Sequence, residues 1–280
     1  MNLKSFLLTG VLALLSVTFV YGQSDVTKKS NVTIGVRGGL SMPGFTAGSD
    51  NPLSKGYSTI TRYGFGVFAE FKVNDLFSIQ PMLEYSQEGG KKNGYQALRP
   101  VSEKDGEMLA QMNTPDPGVA PKFLSADVNN QSKLDYLQLP VLAKFGWDLG
   151  QQKRWRIYVD AGPYAALLLK ARQIISVPSG STTTLFMTPT DQIPMLLFDD
   201  NGNMVPVQVS NTTTDTKSSL HSFNWGLEGN VGVQYQISTK SRVFIEGGGN
   251  YGFMNIQKDA IDGSNNIGAA TVMIGYGYSL

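Results

Sequence analysis

The sequence predicts an all-β chain: an eight-stranded, antiparallel, up-and-down transmembrane β-barrel with short turns at one end and long loops at the other. Three observations carry this. Period-two alternation of apolar and polar residues recurs in eight segments, each at least as long as the roughly 9 to 11 residues a tilted membrane strand needs. Within those segments the charged residues fall on the less apolar face, as a hydrocarbon-facing surface demands. An Arg or Lys directed at the bilayer midplane costs roughly 2 to 4 kcal/mol. The connections alternate between short and long, the pattern of an even-stranded barrel whose ends both lie on the short-turn side.

Residues 1 to 22 come first. Lys4 precedes an apolar run from Phe6 to Val20, which ends in the small-residue site Val20-Tyr21-Gly22. This is the pattern of a cleavable secretory signal, with cleavage expected after Gly22. The run is short of the roughly 20 residues a spanning helix needs. The remaining chain, residues 23 to 280, is expected to be a single outer-membrane domain. It has no cysteine, so a disulfide framework is not available to it. The 23 basic and 22 acidic residues of the whole chain balance to zero once Lys4 is removed, which gives no pull toward nucleic acid. No stretch after the signal approaches 18 unbroken apolar residues, so helical spans are excluded.

The eight strands are expected at about 32–41, 62–73, 76–88, 134–148, 155–170, 223–237, 242–254 and 267–280. In the second, Tyr63, Phe65, Val67, Ala69, Phe71 and Val73 share one face, with Arg62, Gly64, Gly66, Glu70 and Lys72 on the other; Phe68 breaks the pattern. The fourth sets Leu137, Leu139, Val141, Ala143, Phe145 and Trp147 against Gln138, Lys144 and Asp148. The fifth opposes Trp155, Ile157, Val159 and Leu169 to Arg156, Asp160 and Lys170, and the sixth Trp225, Leu227, Val231 and Val233 to Asn224, Glu228, Asn230 and Gln234. Tyr63, Trp147, Trp155, Trp225, Tyr235 and Tyr278 near strand ends fit interfacial aromatic girdles.

Short connections follow the second, fourth and sixth strands and read as periplasmic turns. The long ones, about 42–61, 89–133, 171–222 and 255–266, read as extracellular loops. The 89–133 loop, rich in proline and poor in apolar residues, is expected to be mobile surface.

The fourth and fifth strands carry Tyr136-Leu137-Gln138-Leu139-Pro140-Val141-Leu142-Ala143-Lys144-Phe145 and then Asp160-Ala161-Gly162-Pro163-Tyr164, and the first carries Gly35-Val36-Arg37-Gly38-Gly39-Leu40-Ser41. In these motifs the chain resembles the PorT-like outer-membrane β-barrel family of Bacteroidetes. The resemblance spans the chain after the signal. It implies residence in a Gram-negative outer membrane, contact with outer-membrane lipid, and insertion by the barrel assembly machinery, which is expected to read the alternating apolar end Tyr276, Tyr278, Leu280. It also implies, more distantly, a link to secretion of the type IX kind.

The inward charges Arg37, Arg62, Glu70, Lys72, Glu84, Lys144, Arg156, Asp160, Glu228, Arg242 and Glu246 are the candidate interior network. An eight-stranded barrel has room only for its own side chains, so these are expected to form a self-neutralising plug rather than line a wide pore. Glu228 and Glu246 need basic neighbours, for which Arg37, Lys144 and Arg156 are candidates. His221 is the only histidine; with no cysteine beside it, a zinc centre or a catalytic triad with Ser222 or Asp215 is not expected. Asp199-Asp200-Asn201-Gly202-Asn203 has a fragment of calcium-loop character but lacks the closing Glu, and reads as the tip of a hairpin that extends the fifth and sixth strands. No catalytic, cofactor or metal residue is assigned. The function expected is a non-enzymatic scaffold whose loops bind a ligand or partner, with a secretion or envelope-assembly accessory as the alternative.

Overall fold

In the computed structural model the described residues are 31–99, 123–178, 180–186, 194–198 and 201–280; the signal segment lies outside them. Eight long strands dominate: β1 (Val32–Ala47), β2 (Arg62–Lys72), β3 (Phe77–Leu98), β4 (Leu124–Leu149), β5 (Trp155–Ser176), β6 (Phe223–Gln236), β7 (Ser241–Gly252) and β8 (Asn265–Ser279). Each pairs antiparallel with its sequence neighbours, and β1 pairs with β8 from Thr33 opposite Ser279 to Ala47 opposite Asn265. The sheet therefore closes into a ring in which each of the eight strands is paired on both sides over part of its length.

The ring is apolar outside and polar inside. Along β6 the exposed residues are Phe223, Trp225, Leu227, Val231 and Val233, while Asn224, Glu228, Asn230 and Gln234 are buried. Ile274 is 64% exposed and Val231 63%, yet Glu246 is 2% exposed and Gln138 1%. A soluble sandwich would show the reverse, so the outer surface is built for hydrocarbon. None of the described helices is long and apolar enough to cross a membrane.

Phe68, which interrupts the alternation of β2, points inward and packs with Met82, Leu142, Tyr158 and Phe244. Three of these rings each cover a glycine directly across the ladder: Phe68 opposite Gly35, Tyr158 opposite Gly232, and Phe244 opposite Gly275. A Cβ at Gly275 would lie 2.1 Å from the Phe244 ring. Glycine at these positions makes room for an aromatic in a narrow interior.

Several strands run beyond their expected ends. β3 and β4 stay paired up to Leu98 opposite Leu124, and β5 continues to Ser176. Much of the expected 89–133 loop is thus ladder rather than mobile surface. There Gly89, Gly90, Lys91, Lys92 and Asn93 face Lys133, Ser132, Gln131, Asn130 and Asn129. Both faces are polar where no lipid is met, so the alternation vanishes although the backbone pairing continues. Above the ring, Leu98, Leu124, Ala126, Val128, Ile175, Leu185 and Met195 form a separate buried cluster.

A bulge in β5 changes one assignment. Asp135 pairs with Lys170 but Tyr136 with Leu168, so Leu169 is an extra residue. The phase flips there: Leu168 and Ala171 are buried and Lys170 is exposed, against its expected inward position. The 196–206 segment is a hairpin, with Leu196 opposite Pro206 and Phe198 opposite Met204. It forms its own two-stranded sheet and does not extend the fifth and sixth strands; Thr212–Asp215 pairs onto β5 instead. Asp199 and Asp200, the start of the calcium-like fragment, lie outside the described residues.

Candidate functional site

Two regions could carry function: the charged interior and the long-loop end. At the interior's centre is Arg37 on β1, 5% exposed. Its guanidinium donates to Glu84 on β3, to Glu228 on β6 at 2.6 Å and to Glu246 on β7 at 2.7 Å. Its planar fork serves three strands at once, which a lysine could not do with the same geometry. Tyr158 donates to the other oxygen of Glu246 at 2.6 Å.

Toward the short-turn end, Glu70 accepts from Arg242 and from the Ser78 hydroxyl at 2.8 Å, with Lys144 Nζ at 3.5 Å. Lys144 also donates to Gln80 Oε1 at 3.1 Å and sits 3.8 Å over the Tyr158 ring. Asp160 accepts from Asn230 Nδ2 at 2.9 Å, and the same amide reaches Glu228 Oε1 at 3.1 Å. Arg62 stands apart, 3.7 Å from Asp135.

Two expected members lie outside this network. Lys72 is half exposed and pairs with Asp75 in the turn after β2. Arg156 bonds Asp148 and the Asp75 carbonyl, also at the short-turn end. Of the three cations proposed for Glu228 and Glu246, only Arg37 makes an ion pair with them among the described residues.

By side-chain count the interior is not balanced among the described residues. Glu70, Glu84, Asp135, Asp160, Glu228 and Glu246 outnumber Arg37, Arg62, Lys144 and Arg242, and Glu88 adds a carboxyl group that the sequence reading missed. Glu88 is fully buried and accepts from Ser86 at 2.9 Å and Asn250 at 3.3 Å, with no cation paired to it among the described residues. Its position at the end of the expected third strand hid it; alternation from Glu84 through Ser86 would have placed it inward. Among the described residues no group of His, Cys, Asp or Glu is arranged to hold a metal ion. His221 is exposed at the loop rim, and its main-chain N–H donates to Ile256 O.

The long-loop end is capped by a second packed layer. Leu134, Tyr136, Tyr164, Leu168, Leu220, Ile256 and Ile267 form a buried cluster in the mouth. Beside it opens a cavity of about 170 Å³ to which all four long connections or their strand ends contribute. One wall is polar: Gln173 Nε2 donates to Asn130 Oδ1 at 3.2 Å, and Asn130 Nδ2 lies 3.4 Å from the Tyr57 hydroxyl. Phe45 meets the Tyr57 ring edge-on at 5.0 Å and 84°. At the rim Arg99 bridges Asp262 at 2.7 Å and Asp259 at 2.9 Å. The Ile261 N–H, followed by Arg99, holds the Asp259 carboxyl below its ordinary range; partial burial pushes Asp262 up against the pull of Arg99.

The family model described as Outer membrane protein beta-barrel domain matches residues 21–258. Among solved structures, Neisserial surface protein A is 10% identical over 90% of this chain and 99% of its own, with a TM-score of 0.35. The attachment invasion locus protein Ail of Yersinia pestis is 10% identical over 90% and 100%, at 0.34. The outer membrane protease OmpT of Escherichia coli is 8% identical over 92% and 99%, at 0.44. A search of curated proteins finds no match to the sequence.

Proposed function

We propose that this chain, which belongs to the outer membrane protein β-barrel domain family, is a non-enzymatic scaffold that holds a binding surface above the outer membrane. The observation that carries this reading is the loop end itself. β3, β4 and β5 run 22, 26 and 22 residues, about twice what the bilayer requires, and the excess is packed around a buried apolar cluster rather than left as solvated loop. Binding residues are commonly carried on loops that a rigid framework positions. In this reading residues 1–22 are a signal cleaved after Gly22, the barrel assembly machinery inserts the chain among outer-membrane lipids, and the long loops face outward to meet an extracellular ligand or partner.

A second reading, as an accessory to protein secretion or envelope assembly, rests on the PorT-like motif Tyr136–Phe145 and would act through the short turns. One experiment separates the two. A photo-reactive amino acid is placed in living cells at Met204 or Ser58 on the loop end, and at Asp75 or Lys240 on the turn end; all four residues are exposed. The scaffold reading expects adducts from the loop-end positions. Adducts from the turn end alone, together with secreted cargo retained when the gene is deleted, would replace it with the accessory reading.

A further inference from the structure

We infer that the loop-end cavity is a subsite for one neutral sugar ring, such as the terminal unit of a glycan. The inference rests on the proposed binding role and names the ligand class it takes.

Size comes first. The cavity, about 170 Å³, is close to the roughly 150 Å³ cavity that accepts a benzene ring and well below the roughly 300–1,000 Å³ of sites for larger ligands. It therefore takes a single six-membered ring.

Polarity comes next. Asn130, Ser132, Gln173 and Tyr57 line one wall with amides and hydroxyls that can both donate and accept. An apolar ring entering here would strip water from those groups and return nothing, and a site built that way rejects ligands lacking the matching polar atoms. Phe45 and Tyr57, packed edge-on, add aromatic surface to the same lining, which suits the C–H groups of a pyranose.

Charge argues against an anion. Among the described residues the one guanidinium on the lining, Arg99, is held by two aspartates, so neither a carboxylate nor a phosphate finds a free cation there. A neutral ring bearing several hydroxyls matches the amides and hydroxyls of the polar wall. The lining residues come from β1, β3, β4, β5 and β8 and from the segments between β1 and β2, β3 and β4, β5 and β6, and β7 and β8. Barrel closure is what brings them together.

The test uses residues 23–280 refolded in a zwitterionic detergent that carries no sugar head group. Saturation-transfer NMR is run with methyl glucoside, galactoside, mannoside and an N-acetylhexosamine, and heat-modifiable gel migration checks folding. At least one sugar should receive saturation from the wild type. Gln173→Leu should weaken that binding by roughly tenfold or more, because a buried partner loses its hydrogen bond, whereas Lys217→Ala outside the cavity should leave it unchanged. Ser132→Val serves if Gln173→Leu does not fold. No transfer to any of these sugars from folded protein overturns the inference, as does binding unaffected by the cavity variant. If the sugars fail while loop-end photo-adducts form, the inference falls and the scaffold reading stands. If both fail, both fall.

Discussion

Arg37 ties four strands together, and among the described residues it is the ion-pair partner of Glu84, Glu228 and Glu246 alike. Removing the guanidinium strands three buried carboxylates, a change that costs about 3 to 5 kcal/mol where a buried pair is broken. Arg37→Met should lower the urea midpoint in vesicles accordingly. Lys72→Met breaks only the exposed pair with Asp75 and should stay within about 1 kcal/mol of wild type; equal losses in the two variants would refute the central role of Arg37. Glu88 is the opposite case. Glu88→Gln keeps an acceptor for Ser86 and Asn250 while removing a buried charge with no paired cation, so its urea midpoint should rise, and a clear fall would show that the charge is compensated. Most inward charges were legible from period two, although Glu88 was missed and Lys170 faces outward. Their partners were not, because pairing depends on cross-strand register, which places Arg37 opposite Gly66 and Gly275 and opens the space its guanidinium fills.

At the scale of the element, the alternation that identified each strand was a record of lipid contact and ended where that contact ended. β2, β6 and β7 therefore match their expected spans within about two residues, while β3, β4 and β5 outran theirs into polar ladder. The cavity escaped notice for the same reason, since its residues come from segments with no periodic signal. The bulge at Leu169 has no period-two signature either, yet it decides which side chains enter the mouth. Deleting Leu169 should remove the bulge and leave Leu168 and Lys170 on the consecutive partners Tyr136 and Asp135, so that Lys170 stays outward and Ala171 and Ile175 inward. Limited proteolysis should then find the loop end as protected as in wild type. Cleavage across the loop end in a variant whose barrel stays protected would show that the bulge itself is required there.

For the whole molecule, ring closure and inversion of polarity act together. The interior is filled by Phe68, Tyr158, Phe244 and the Arg37 network, so in planar bilayers the protein should give no stable porin-sized current steps; reproducible large steps would mean that the filled interior opens. The more basic claim is that the apolar face meets lipid. All three tryptophans, Trp147, Trp155 and Trp225, lie on that face, 47%, 52% and 48% exposed, and all are near strand ends where aromatic girdles sit. Tryptophan fluorescence of the folded protein in vesicles of brominated lipid measures this directly. The structure predicts strong quenching, greater for bromines near the head groups than for bromines at the bilayer centre, whereas emission unchanged by bromination in a folded sample would contradict a membrane-spanning barrel.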